Sequence, residues 1–150
     1  MKVLVDVNVF IDVLTKRANW EGSLRVLNLV RRAPEVEGWI SALTVPLLYF
    51  YRLRVVAEQQ ARTDTQAAVK GFQFVPLTQE LLDKALSSAL PDFEDNIQLV
   101  SAKTIAADYV VTRNKKHFQP ASLPILAPEE WLTLDAVVPI QIKTEPPTSE

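Results

Sequence analysis

Cysteine is absent from the 150-residue chain, so neither a disulfide framework nor a thiolate metal site can form. Only three glycines occur, too few for a phosphate-cradling loop. That removes the P-loop and dinucleotide-binding enzymes. The single histidine, His117, lies in a Lys-Lys-His-Phe segment with no Gly-x-Ser-x-Gly partner. Ser–His–Asp catalysis is therefore disfavoured, and His117 reads as a surface residue. No apolar run approaches the ~20 residues that cross a bilayer. The N-terminus lacks the basic region and long apolar stretch of a signal peptide; an intracellular, cytoplasmic protein is expected, which the lack of cysteine is consistent with but does not require. A net charge of −2 provides no global positive field for coating a duplex, which still leaves room for a local grip on RNA.

What is present is a 48% apolar composition, suited to one domain with a full core. Lys2-Val3-Leu4-Val5 is a short β-branched and apolar run that predicts a buried strand. It stops at Asp6, and Asn8 opens a segment with Val9, Phe10, Val13 and Leu14 at helical spacing. A carboxylate at such a junction sits at the carboxyl edge of a sheet, where open α/β sheets bind ligands. Asp6 taken alone is equally well read as a helix cap.

Further along, a helical stripe covers 19–32, and Gly38-Trp39-Ile40-Ser41-Ala42 reads as a second strand. Ser41 or Thr44 can cap the next helix, with Pro46 in its first turn, where a missing N–H costs nothing. Leu47, Leu48, Tyr49, Phe50, Tyr51 and Leu53 make that helix buried or partner-facing. A polar helix over 58–70 ends at Gly71. Phe72-Gln73-Phe74-Val75 predicts a strand, and Thr78 caps a helix over 80–89. Pro91 breaks that helix and Asp92 caps its successor. Asp108-Tyr109-Val110-Val111-Thr112 predicts a buried strand leading to Arg113 and Asn114, before an edge strand at 123–126 and a helix at 128–134. The expected domain is residues 1–134, with 135–150 as an extended or disordered tail.

Strands alternating with helices predict a three-layer α/β/α fold around a central, mostly parallel sheet. Asp6, Ser41, Asp95 and Thr112-Arg113-Asn114 then converge at strand ends or helix starts. Carboxylates gathered without cysteine fit a hard, oxygen-preferring cation such as Mg²⁺ or Mn²⁺. Asp92, Glu94 and Asp95 also read as an acidic first turn favoured by the helix dipole. For Glu94 that bland reading prevails; Asp95 can point inward one turn below the cap.

These residues resemble a known family. Val3-Leu4-Val5-Asp6-Val7-Asn8-Val9, Ile40-Ser41-Ala42-Leu43-Thr44, Pro91-Asp92-Phe93-Glu94-Asp95 and Ala107-Asp108-Tyr109-Val110-Val111-Thr112-Arg113-Asn114 with Phe118 follow the order of the PIN domains of VapC-type toxins. The resemblance covers about residues 2–130. It implies a metal-dependent endoribonuclease fold, usually homodimeric, whose toxin members are neutralised by a cognate antitoxin. Asp6 and Asp95 match metal-binding acids, Asn8 the polar residue beside the first, and Thr112 the hydroxyl before the last. The second acidic position falls on Leu47 and the fourth on Asn114, so two carboxylates of four remain, with Asp92 a possible third and Asp12 a weaker one. The expected metal ligands are Asp6, Asp95 and Asp92. Asp6, Asp95 and Asn114 are expected to carry catalysis, and Asn8, Ser41, Thr112 and Arg113 to meet the substrate, near Lys115, Lys116, Arg52 and Arg54. The aromatic run Tyr49-Phe50-Tyr51 either stacks bases or serves packing and an interface. Because Leu47 and Asn114 depart from the pattern, a PIN-fold module without catalysis, binding RNA or protein, stands as the alternative.

Overall fold

β1 (Lys2–Val5) is the axis of the computed structural model, which describes residues 1–144. Val3, Leu4 and Val5 are fully buried, as they must be in a strand covered on both faces. Successive strand side chains point to opposite faces, and the core divides accordingly. Val3 and Val5 pack with Phe10, Val26, Leu48 and Trp131 on one side. Leu4 packs with Leu81, Ala85, Ile97 and Val110 on the other.

The remaining strands are β2 (Glu37–Ser41), β3 (Gln73–Val75), β4 (Tyr109–Val111) and β5 (Ile125–Leu126). They pair in the order β3-β2-β1-β4-β5, every pairing parallel. The helices are α1 (Val7–Thr15), α2 (Trp20–Arg32), α3 (Thr44–Leu53), α4 (Glu58–Val69), α5 (Gln79–Leu86), α6 (Phe93–Thr104), α7 (Pro128–Leu132) and α8 (Val138–Thr144). α5 and α6 cover the Leu4 face, and the others pack over the Val3 and Val5 face. This is the three-layer α/β/α fold.

Local chemistry sets the boundaries. Thr78 Oγ1 accepts the Leu81 N–H (3.1 Å) and Asp92 Oδ1 accepts the Asp95 N–H (3.0 Å), satisfying helix donors that otherwise have no partner. Gly71, at φ +89°, turns the chain after α4 in a region that side chains resist. Gly38 lets α2 approach β2: a Cβ there would collide with Val30 and press on Phe72.

The strand order places the site. The chain leaves β1 toward β2 and β3, then returns to the other side of β1 as β4. A crevice opens at such a reversal, at the carboxyl ends of the strands. Val5 lies opposite Val111, and the Asp6 N–H continues the ladder to the Val111 carbonyl (3.0 Å). Residues 6 and 112 are thereby neighbours despite their separation in sequence.

The chain departs from expectation near its end. Residues 138–144 form α8 rather than an extended tail, and Val137 and Ile140 are buried in the Val3 and Val5 core. Apolar contact with the core supplies what the weak local periodicity does not. Packing against the core therefore continues past residue 134; the rest of the expected tail, 145–150, lies outside the described residues.

Candidate active site

Asp6 occupies the N-cap position of α1, yet its side chain makes no capping hydrogen bond. Its carboxylate Oδ2 instead accepts from Thr112 Oγ1 (2.8 Å) and Asn8 Nδ2 (3.1 Å). Thr112 Oγ1 in turn accepts the Asn114 N–H (3.0 Å), leaving the hydroxyl hydrogen to point at Asp6. Only 1% of Asp6 is exposed. Burial pushes its pKa up to about 6 and the nearby charge of Asp95 adds to this, against the lowering effect of the Thr112 and Asn8 bonds.

Asp95 comes from the first turn of α6 and is 7% exposed. Burial raises its pKa above the ordinary carboxylate range, assisted by the charge of Asp92 and opposed by His117. His117 Nδ1 lies 3.1 Å from Asp95 Oδ2. The 3₁₀ turn Lys115–Phe118 brings it there, anchored by fully buried Phe118.

Asp6 and Asp95 line one cavity of about 240 Å³, together with Asn8, Leu47, Glu94 and Gln98. Phe50, Tyr51 and Arg54 of the α3 end complete its wall, with the Arg54 guanidinium 5.8 Å from the Tyr51 ring centre. Among the described residues no group of three or more His, Cys, Asp or Glu is placed to hold a metal. Two carboxylates with neutral oxygens nearby nevertheless suit a hard cation, since Mg²⁺ is commonly bound through one or two carboxylates and keeps several waters. The donor set fits such an ion, which Asp6 and Asp95 could hold through their carboxylates.

Several expected site residues are placed otherwise. Arg113 does not line the cavity. Its guanidinium is bound to Asp12 Oδ2 (2.7 Å), Ser23 Oγ (3.0 Å), the Asn19 carbonyl (2.6 Å) and the Glu129 carboxylate. It clamps α1, α2 and α7 behind the site, and Asp12 is held there as its buried counter-ion. Ser41 is fully buried, its Oγ accepting the Leu43 N–H (3.2 Å). Thr112, also fully buried, orients Asp6 rather than meeting a substrate. Asp92 is used as the α6 cap, and Asn114 contributes its backbone N–H to Thr112; neither lines the cavity.

Residues not expected here are Gln98, Glu94 and His117. Gln98 is one helical turn after Asp95, a polar residue set between Ile97 and Leu99 on a buried helix. That interruption and the i, i+3 spacing were its legible signals. Nothing local to residues 115–118 announces that His117 reaches Asp95.

A family model described as PIN domain matches residues 2–116. No curated protein matches the sequence. Solved structures share the fold. VapBC-1 from nontypeable Haemophilus influenzae superposes at a TM-score of 0.67 with 14% identity, covering 86% of this chain and 99% of its own. A toxin–antitoxin complex from Klebsiella pneumoniae gives 0.65 with 19% identity, covering 84% and 97%. FitAcB from Neisseria gonorrhoeae gives 0.62 with 19% identity, covering 85% and 98%.

Proposed function

The chain belongs to the PIN domain family, and on that premise we propose that it is a Mg²⁺- or Mn²⁺-dependent endoribonuclease of the VapC-like toxin type. The observation that carries the reading is the meeting of two buried carboxylates, Asp6 and Asp95, in one cavity at the reversal of strand order. These two would hold the cation, with Asn8 free to offer its carbonyl oxygen because its amide nitrogen is committed to Asp6. When bound, such an ion neutralises phosphodiester charge and makes water a stronger nucleophile.

The chain's own groups prepare that chemistry. Thr112 and Asn8 fix the Asp6 carboxylate, and His117 orients Asp95. Arg54, at the cavity wall, takes the phosphate-positioning role that Arg113 cannot fill. Phe50, 61% exposed, and Tyr51 beside it offer a face to an unpaired base. The reading includes a cytoplasmic location, where such an RNA substrate would be met; among the described residues no helix is long and apolar enough to cross a membrane.

A cognate antitoxin belongs to the same reading. The structural neighbours include toxin–antitoxin complexes. A groove of about 700 Å³ between α3 and α4, walled by Val45, Pro46, Tyr49, Phe50, Val69 and Phe74, suits the apolar side chains of an antitoxin segment. Self-association as a homodimer completes the proposal.

One observation favours a second reading, a PIN-fold module without catalysis. Leu47 lines the cavity where an acid is expected, and leucine cannot bind a metal. Incubation of purified protein with single-stranded RNA and Mn²⁺ separates the two. The nuclease reading requires cleavage that disappears in Asp6→Ala; RNA binding without cleavage by the wild type assigns the chain to the inert module.

A further inference from the structure

Gln98 is 1% exposed, and neither its Oε1 nor its Nε2 has a hydrogen-bond partner within the protein. Burying an unpaired amide is costly, and a buried side chain with both polar ends unpaired is normally completed by something outside the chain. Other described side chains have a buried polar atom without a partner, among them Thr44, Asn96, Ser101 and Trp131, but none of these lines the Asp6 and Asp95 cavity. Gln98 does. It follows Asp95 by three residues on α6, so the two side chains leave the same helix face one turn apart.

We propose that the Gln98 carboxamide is a neutral cation-binding group of this site, supplying an oxygen to a cavity that Leu47 also lines. The inference rests on the cation-dependent reading above and adds a residue to it. Chemistry favours an amide here. Asp6, Glu94 and Asp95 already bring three carboxylates to the lining of a small cavity, and a carbonyl oxygen adds a donor without adding a further charge. Hard cations take amide carbonyl oxygens as well as water, so Gln98 acts either directly on the ion or on a water in its shell. Gln98 thus supplies an oxygen donor to a cavity in which Leu47 supplies none.

Calorimetric titration of the full chain with MnCl₂ tests this, using wild type, Asp6→Asn, Gln98→Leu and Gln98→Glu. Gln98→Leu should weaken Mn²⁺ affinity by about tenfold or more, while melting in EDTA at no lower a temperature than wild type because two unpaired polar atoms are gone. Gln98→Glu should bind Mn²⁺ at least as tightly as wild type, which shows that the position faces the ion even if the leucine variant folds poorly. Wild-type affinity in a folded Gln98→Leu overturns the assignment. So does loss of Mn²⁺ binding in a folded Gln98→Glu. If Asp6→Asn abolishes binding while Gln98→Leu does not, only the role of Gln98 falls; if the wild type binds no Mn²⁺, the cation-dependent reading falls with it.

Discussion

Replacing Asp6 by asparagine removes a buried charge and little else. The two side-chain donors to the carboxylate, Thr112 Oγ1 and Asn8 Nδ2, approach the same oxygen, Oδ2. A carboxamide with its oxygen in that place keeps both bonds and turns its NH₂ to the remaining position. What changes is the energy of ionisation. The Asp6 pKa rises from an ordinary 3.8 to about 6, which at 1.36 kcal/mol per tenfold change in proton affinity corresponds to about 3 kcal/mol. Proton binding sets the sign. Between these two values the folded protein holds a proton that the unfolded chain releases, so this group's contribution is most favourable below pH 4. It declines as pH rises toward 6, and at neutral pH the full cost of the buried charge is present. In EDTA at pH 7, Asp6→Asn should therefore be more stable than wild type by up to about 3 kcal/mol, an advantage that vanishes by pH 4. Urea unfolding followed by tryptophan fluorescence from pH 4 to 7.5 measures the difference, and the subtraction cancels the carboxylates that do not interact with Asp6, leaving only the weaker coupling to Asp95 beside the Asp6 contribution. A difference that is flat with pH, or a variant less stable than wild type at pH 7, refutes the reasoning. Excess Mn²⁺ should reverse the order, stabilising wild type alone.

Two further substitutions probe the scaffold behind the site. Arg113→Met leaves buried Asp12 without its counter-ion, and urea unfolding should show a loss of roughly 3 kcal/mol, at the lower end for breaking a buried pair because Arg113 is partly exposed; wild-type stability would show that the clamp is idle. Gly38→Ala drives a methyl group into Val30 and Phe72, both held in the packed layer between α2 and the sheet. Thermal unfolding should report a destabilisation of about 1–3 kcal/mol, whereas an unchanged midpoint would mean that α2 yields freely.

The layered fold was legible because it rests on local patterns. The run Val3-Leu4-Val5 has no polar position to expose, Pro46 suits a helix's first turn, and Thr78 and Asp92 cap the helices that their positions foretell. Parallel pairing then brings Asp6 to Thr112 by register alone. The finer roles depended on contacts between distant segments. Arg113 has the same chemistry as a phosphate contact and as a buried clamp; only Asp12, Ser23 and Glu129, from three other places in the chain, decide between them. Ser41 is drawn into a backbone bond two residues away instead of the cavity. His117 looked like a surface residue and is half that: its ring is 51% exposed, yet one nitrogen meets Asp95. α8 has little helical pattern of its own and forms where Val137 and Ile140 find the core.

A crystal soaked in MnCl₂ and measured at a wavelength where manganese scatters anomalously tests the shared-cation claim most directly. One anomalous peak within coordinating distance of the carboxylates of both Asp6 and Asp95 is the predicted result, and it should be missing from Asp6→Asn crystals treated alike. A peak bound to other residues, or none at millimolar Mn²⁺ in an open lattice, contradicts it.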